Sequence, residues 1–192
     1  MQLISGMSLS AYWLSNMIAD MIKLYIPIFI ILIISVIFNA NYDGVWVLML
    51  LLPPALVPFT YVSSFLFKSD SSAQIITLIL NYFVCDVMAF LTFVLMFIPQ
   101  TFLLGGILRW GLCIFPSYCV LNGILWSSTK TVILSIRVQY PDAHQLPEDN
   151  WALANMGGDA LILILHFFVN TAILFAIEKD LFSCFRNLSA QQ

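Results

Sequence analysis

Long apolar runs alternate with short polar breaks along this chain. Each run, counted with its flanking residues, reaches about 18 residues or more, enough for a helix to cross roughly 30 Å of hydrocarbon. The breaks hold Asn, Asp, Gly and Ser, which favour turns. The pattern therefore predicts four transmembrane helices, at residues 21–40, 45–67, 73–98 and 159–177.

The stretch 103–125 is apolar but interrupted. Several Gly residues, Arg109 and Pro116 break it. It is either a poor span or a re-entrant pair of half-helices that enters one leaflet and returns. Residues 126–151 follow as the longest polar stretch and contain two prolines, so we predict a loop outside the bilayer there.

The composition excludes a water-soluble domain. Of the 192 residues, 61% are hydrophobic and 9% are charged, whereas soluble domains carry about 25% charged residues. A surface this poor in polar groups requires lipid as its solvent. The formal net charge of −3 is too small to indicate a nucleic-acid partner. We therefore predict an all-α, multi-pass integral membrane protein.

Both ends of the chain are predicted to be cytosolic. Residues 1–20 contain no Lys or Arg and no long apolar block, so they do not form a secretory signal. The chain either inserts through its first span or begins within a larger protein. If 103–125 does not cross, four basic residues lie on the side of 1–20 and of the tail 178–192, against three on the other side.

The four cysteines form no C-x-x-C pair. Cys113 and Cys119 could form a disulfide if their segment lies outside the cell. The alternative is free thiols, since membrane helices use Cys as a small apolar residue, and this alternative is favoured.

Asp86 is the most unusual residue because it falls in the middle of the third predicted span. A carboxylate there costs several kcal/mol unless it is paired or protonated, so it should face the bundle or water. It either contacts a substrate or a proton pathway, or is a protonated acid bonded to a neighbouring carbonyl or helix; the second is favoured. Asn81 is the other candidate polar contact, although residues five apart lie about 140° apart around an α-helix.

Two further polar pairs have helical spacing. Asp20 and Lys23 could pair at the edge of the first span, where we expect anchoring rather than chemistry. Asp159 and His166 share a face of the last span, but about 10 Å of helical rise separates them, too far for a hydrogen bond. We therefore expect His166 to bond to another helix.

The opening residues carry a specific motif. Residues Gln2–Gly6 read Q-L-I-S-G, and residues Tyr12–Asn16 read Y-W-L-S-N. They resemble the segments that follow the cytosolic coupling helix in the A subfamily of ABC transporters. The resemblance implies that Gln2, Ser5 and Gly6 lie nearest a nucleotide-binding domain and receive motion from it.

Further motifs resembling that family recur in the same order. They are Pro58 with Ser63–Phe67, Ser72-Ala73, Asn81–Phe83, Thr92–Leu95, Ile114–Cys119, Gly123-Ile124, and Trp151 with Asn155. The resemblance implies the later part of one transmembrane half, with four crossings and two short exoplasmic half-helices over 103–125. The chain departs from the family pattern at Asp86, Ser117, Asn122 and the residues after Trp151, which affects exoplasmic contacts and not the fold.

The sequence contains no G-x-x-x-x-G-K-[ST] motif, so we do not expect this chain to hydrolyse ATP by itself. We expect no catalytic, cofactor or metal site in it; ATP and Mg²⁺ belong on a separate nucleotide-binding domain. The resemblance implies the membrane part of an ATP-driven transporter of lipid or another amphipath, partnered by that domain and the other transmembrane half. The alternatives are a stand-alone membrane scaffold or regulator, and an intramembrane enzyme using Asp86, Asp159 or His166, which share no motif.

Overall fold

A computed structural model describes residues 9–38, 44–67, 70–98, 100–139 and 149–189. All regular elements within these ranges are helical. They are α1 (Leu9–Ile37), α2 (Val45–Ser64), α3 (Asp70–Leu80), a π-helical segment (Asn81–Val87), α4 (Met88–Phe97), α5 (Phe102–Leu112), α6 (Pro116–Gln139) and α7 (Met156–Ser189).

Four stretches of the described helices are long and apolar enough to cross a membrane. The third of them combines α3, the π-helical segment and α4. Helices suit this environment because they satisfy their backbone hydrogen bonds internally. The predicted number of spans is therefore confirmed, with bounds Ala11–Ile37, Val45–Ser64, Ser71–Met96 and Met156–Ile177.

The helix α2 is the centre of the bundle, since it packs most extensively against α7 and also contacts α1 and α6. It follows Gly44, whose φ of 86° lies in the left-handed region that favours glycine. Leu48 of α2, Cys119 of α6 and Leu163 of α7 belong to one buried cluster. Lipid tails are as apolar as these side chains, so close packing and polar contacts hold the helices together.

The outer helices bury little of their surface. The helix α1 and the third span expose long apolar faces, with Ile33 and Phe90 as examples. These faces need lipid or other membrane helices to cover them.

Several predicted boundaries are corrected. The helix α1 begins at Leu9, so the described part of 1–20 belongs to the first helix. The helix α6 continues to Gln139, so the loop predicted over 126–151 is helical in its first half. No Gly or Pro interrupts the chain between Gly123 and Pro141, which explains the continuation. The helix α7 likewise extends through most of the predicted tail.

The predicted re-entrant stretch 103–125 contains α5 and the first part of α6. A turn separates the two helices, with the Phe115 amide donating to the Leu112 carbonyl at 3.0 Å. Pro116 opens α6, at a position where its missing N–H costs nothing. The helix break that a re-entrant pair requires is present, and the depth of the pair in a bilayer stays a prediction.

One buried hydrogen bond fixes α4 to α6. The Thr92 Oγ1 and Tyr118 hydroxyl oxygens are 2.7 Å apart, and both side chains are buried. The Thr92 hydroxyl donates to the Ala89 carbonyl at 3.0 Å, so the Tyr118 hydroxyl donates to Thr92. The bond ties the third span to the α5–α6 region.

We expect Tyr118→Phe to lower the free energy of unfolding by about 1–2 kcal/mol, because it leaves a buried Thr92 oxygen without its donor. The measurement is thermal unfolding in detergent, followed by size-exclusion chromatography. The control Tyr82→Phe alters an exposed tyrosine and should leave the midpoint unchanged. Equal shifts for the two variants would contradict this assignment.

Candidate functional site

A group of buried polar side chains lies where α5, α6 and the start of α7 meet. Its members, which we call the α5–α7 polar cluster, are Arg109, Cys113, Asn122, Asn155 and Asp159. Arg109 lies in the last turn of α5, and Asp159 lies in the first turn of α7. Cations are favoured at helix C-termini and anions at N-termini, so each charge also suits its own helix.

A buried ion pair is the centre of this cluster. Arg109 Nη2 lies 3.1 Å from Asp159 Oδ1, and the two side chains are 5% and 1% exposed. The other carboxylate oxygen accepts a hydrogen bond of 2.7 Å from Asn122 Nδ2. Both carboxylate oxygens are therefore satisfied, as a buried charge requires.

Arg109 also holds the turn that precedes α7. Its guanidinium donates to the Ala154 carbonyl and, at 2.5 Å, to the Asn155 carbonyl. A single side chain thus binds both the backbone before α7 and the first turn of α7.

Gly157 allows this turn to fold back onto the helix. A Cβ atom at Gly157 would collide with the backbone carbonyl of Trp151. The absence of a side chain therefore brings the turn close enough to α7 for its carbonyls to reach Arg109.

His166 extends the polar contacts along α7. Its Nε2 lies 2.9 Å from the Cys113 carbonyl oxygen, which belongs to the turn after α5. Asn170 Nδ2 in turn donates to the His166 carbonyl at 2.9 Å. The prediction that His166 bonds to another part of the bundle is confirmed, and its partner is a backbone carbonyl and not Asp159.

Two thiols lie beside the ion pair. Cys113 Sγ is 3.6 Å from Asp159 Oδ1, and Cys119 Sγ is 3.7 Å from the Cys113 carbonyl oxygen. Both thiols are free and buried. The ligand atoms of Cys113, Cys119 and Asp159 lie within 4.8 Å of one another. The Arg109 guanidinium already neutralises Asp159, however, so this arrangement suits helix packing better than cation binding.

A second contact region joins the start of α1 to the end of α2. Lys23 Nζ lies 2.9 Å from Asp20 Oδ1, which confirms the predicted pair. The Tyr61 hydroxyl donates to the other Asp20 oxygen. The Trp13 and Tyr61 rings meet edge to face, with centroids 5.5 Å apart, and Phe65 packs beside them. We call Trp13, Asp20, Tyr61 and Phe65 the α1–α2 latch.

The residues predicted to receive motion from a nucleotide-binding domain, Gln2, Ser5 and Gly6, lie outside the described residues. The latch is the nearest described contact to them along the chain. The sequence analysis did not identify Tyr61, because nothing in a single sequence pairs a tyrosine with an acid on another helix.

The predicted polar contacts Asn81 and Asp86 lie on the third span. Asn81 Nδ2 donates to the Thr77 carbonyl at 2.9 Å, and its side-chain oxygen is 3.6 Å from Cys85 Sγ. Asp86 is exposed, and among the side chains that the structure describes it has no hydrogen bond or ion pair. The polar cluster and Asp86 are therefore separate features.

The expected angle of about 140° between Asn81 and Asp86 is corrected, because both lie in the π-helical segment. The hydrogen bonds of a π-helix span five residues, as seen where the Met88 amide donates to the Phe83 carbonyl. Residues five apart therefore return to nearly the same face, so the two side chains are neighbours around the helix.

The Arg109–Asp159 pair is another feature that the sequence analysis missed. A usable signal was present, since each is a lone charge within or beside an apolar stretch, and the two charges are opposite. The sequence analysis considered His166, seven residues away on the same helix, as the partner of Asp159. It did not consider a cation on another helix.

Comparisons with known proteins cover nearly the whole chain. A family model described as "ABC-2 family transporter protein" matches residues 1–180. Human phospholipid-transporting ATPase ABCA7 is 30% identical over 134 residues, which are 65% of this chain and 6% of that protein. Bovine retinal-specific phospholipid-transporting ATPase ABCA4 is 25% identical over 185 residues, which are 90% of this chain and 8% of that protein. The chain thus spans less than a tenth of the length of these relatives.

We expect Asp159→Leu to destabilise the protein by about 3–5 kcal/mol, because it leaves the Arg109 guanidinium buried and uncompensated. The double variant Arg109→Met/Asp159→Leu should recover a large part of that loss, since no buried charge remains. Thermal unfolding in one detergent, followed by tryptophan fluorescence, compares the double variant with the single variants Asp159→Leu and Arg109→Met. A double variant whose loss equals the sum of the two single losses would show that the charges do not interact.

Gly157→Ala should lower stability by about 1–3 kcal/mol, because its methyl group forces the Trp151 carbonyl away from α7. Gly106→Ala is the matched control, since no atom lies within 4 Å of a Cβ built there. This control should be neutral or stabilising by up to about 1 kcal/mol, as alanine favours a helix. The same unfolding assay compares the two, and a Gly157→Ala protein as stable as the control would rule out the close approach.

Proposed function

Because this chain belongs to the ABC-2 transporter family and is homologous to members of the ABC A subfamily, we propose that it serves an ATP-driven transporter that moves phospholipid. The family match establishes that this chain is a transporter membrane domain; the ATP-driven cycle and the phospholipid substrate are what we propose. The observation that carries the proposal is the family match over residues 1–180, together with two relatives named as phospholipid-transporting ATPases.

The exposed surface of the bundle supports a lipid substrate. Apolar side chains cover the outer faces of α1 and of the third span, where acyl chains can lie against them. Apart from Asp86, which is exposed within the third span, the described polar residues are concentrated between helices and at helix ends. A substrate that moves along this surface would therefore be bound chiefly through its hydrocarbon part.

ATP and Mg²⁺ would bind a nucleotide-binding domain outside this chain, and this chain would receive the resulting motion. The segment Gln2–Gly6 is the proposed point of entry. Motion there reaches α1 directly and passes to α2 through the α1–α2 latch, because the Tyr61 hydroxyl and the Trp13 ring join the two helices.

The helix α2 can carry this motion to the opposite end of the bundle. It packs along α7, and Leu48 near its start lies in the same buried cluster as Leu163 of α7 and Cys119 of α6. The α5–α7 polar cluster fixes that far end. A rigid shift of α2 would thus move α6 and α5, together with the third span that the Thr92–Tyr118 bond ties to them. In this way the proposed transporter would reshape its lipid-facing surface.

The alternative of a stand-alone scaffold or regulator predicts a different partner. A transporter needs a nucleotide-binding domain, whereas a scaffold needs only membrane helices. Purification of the natural complex in mild detergent separates the two: a nucleotide-binding subunit or covalently continuous domain supports the transporter, and its absence supports the scaffold.

We expect Tyr61→Phe, which removes the hydroxyl bound to Asp20, to weaken the link between ATP hydrolysis and lipid movement. In proteoliposomes containing the complete transporter, the lipid moved per ATP hydrolysed should fall about five-fold or more, while ATP hydrolysis stays within about two-fold. The measurement pairs a phosphate-release assay with a fluorescent phospholipid.

The matched control is Tyr25→Phe, because the Tyr25 hydroxyl also joins α1 to α2 through the Leu50 carbonyl, at 3.0 Å, but lies away from the latch. It should leave the lipid-to-ATP ratio unchanged. Equal ratios in the Tyr61→Phe and wild-type proteins would remove the latch from the coupling route.

A further inference from the structure

Asp86 lies deep in the third span, and none of the side chains that the structure describes is bonded to it. Roughly 15 Å of helix separate it from Met96, the nearer end of that span, which places it close to the middle of a hydrocarbon layer about 30 Å thick. Phe83, Val87 and Phe90 around it are exposed and apolar. A carboxylate in this position requires a cation or a proton.

A shallow, open groove of about 440 Å³ lies on the same span, lined by Ala73, Thr77, Leu78 and Asn81. Ala73 and Thr77 are small residues four apart, a spacing that lets another membrane helix approach closely. Asn81 continues that face, and the π-helical segment returns Asp86 to nearly the same side. The groove and the unpaired acid therefore form one surface.

A cation that pairs with Asp86 must come from outside the side chains that the structure describes. Lys23 and Arg109 already pair with Asp20 and Asp159, and among the described side chains no ion pair joins Asp86 to a cation. The amine of a resting lipid lies in the headgroup layer, too far from this depth. A basic side chain on a neighbouring helix can reach it.

We propose that the surface formed by Ala73, Thr77, Asn81 and Asp86 docks another membrane helix of the assembly, whose Lys or Arg pairs with Asp86. The chain spans only 6–8% of its relatives' length, so such helices would be available if it works within a comparable assembly. The inference therefore rests on the proposal that this chain works within a larger transporter. The pair would specify where the helix docks, because a misplaced helix leaves the carboxylate unpaired.

The test places a photo-crosslinking residue, p-benzoylphenylalanine, at Leu78 of the complete transporter in its membrane. Leu78 lines the groove and is 70% exposed, so it tolerates the larger side chain. Peptide mapping should find an adduct with a membrane helix from outside this chain that contains Lys or Arg. The same probe at Leu103, an exposed residue of α5, supplies the reference for lipid adducts.

Variants that change the charge at position 86 test whether Asp86 pairs with the basic residue of the docked helix. Asp86→Asn, which keeps the shape, should reduce the protein adduct about ten-fold, whereas Tyr82→Asn on the same helix should change it less than about two-fold. Asp86→Lys should also abolish the adduct, and exchanging the mapped basic residue for Glu should restore it.

Three results would overturn the proposal: an adduct at Leu78 with lipid alone, an adduct within this chain, or an adduct yield that Asp86→Asn leaves unchanged. ATP-dependent lipid movement by the wild-type transporter is measured separately. A failed docking surface therefore remains distinguishable from a failed transport function.

Discussion

The guanidinium of Arg109 and the carboxylate of Asp159 lie where water does not reach them, so each depends on the other. Asn122 donates to the carboxylate, and the carbonyls before α7 accept from the guanidinium. In a lipid environment the hydrophobic effect does not press helices together, so such polar contacts matter more to the arrangement. The ion pair is therefore a principal constraint on the position of α5 and α6 against α7, beside the His166 contact and the apolar cluster.

The other end of the bundle is held differently. The α1–α2 latch combines aromatic packing with one tyrosine-to-acid hydrogen bond, and its charged member, Asp20, is more exposed than either partner of the Arg109–Asp159 pair. Breaking it leaves no buried charge behind. The structure therefore combines a firmly fixed end, at the polar cluster, with an end that can rearrange at lower cost, near the residues proposed to receive motion. That asymmetry suits a membrane domain driven from one side.

The four spans could be predicted from the sequence because a membrane helix must be long, apolar and internally hydrogen-bonded. The motif around Trp13 was equally informative, and the family it indicated is confirmed by the match over residues 1–180. The first half of the polar stretch after Trp126 was interpreted wrongly as a loop. Polarity was taken as a helix break, although no Gly or Pro lies between Trp126 and Pro141.

The candidate sites were harder to predict, for physical reasons. Arg109 and Asp159 meet only through tertiary packing, and a single sequence carries no information on which cation faces which acid. The π-helical segment could not be predicted from the sequence either, since α- and π-helices use the same residues and differ in hydrogen-bond register. Asp86 alone was conspicuous from the start, because an acid within an apolar span stands out in any register.

The most direct test of the central claim is phospholipid movement by the purified transporter that contains this chain. A fluorescent phospholipid in sealed proteoliposomes reports on its leaflet by its accessibility to an impermeant quencher. We predict movement that requires hydrolysable ATP and stops with a non-hydrolysable analogue. An intact complex that moves no phospholipid, or moves it equally without ATP, would contradict the account.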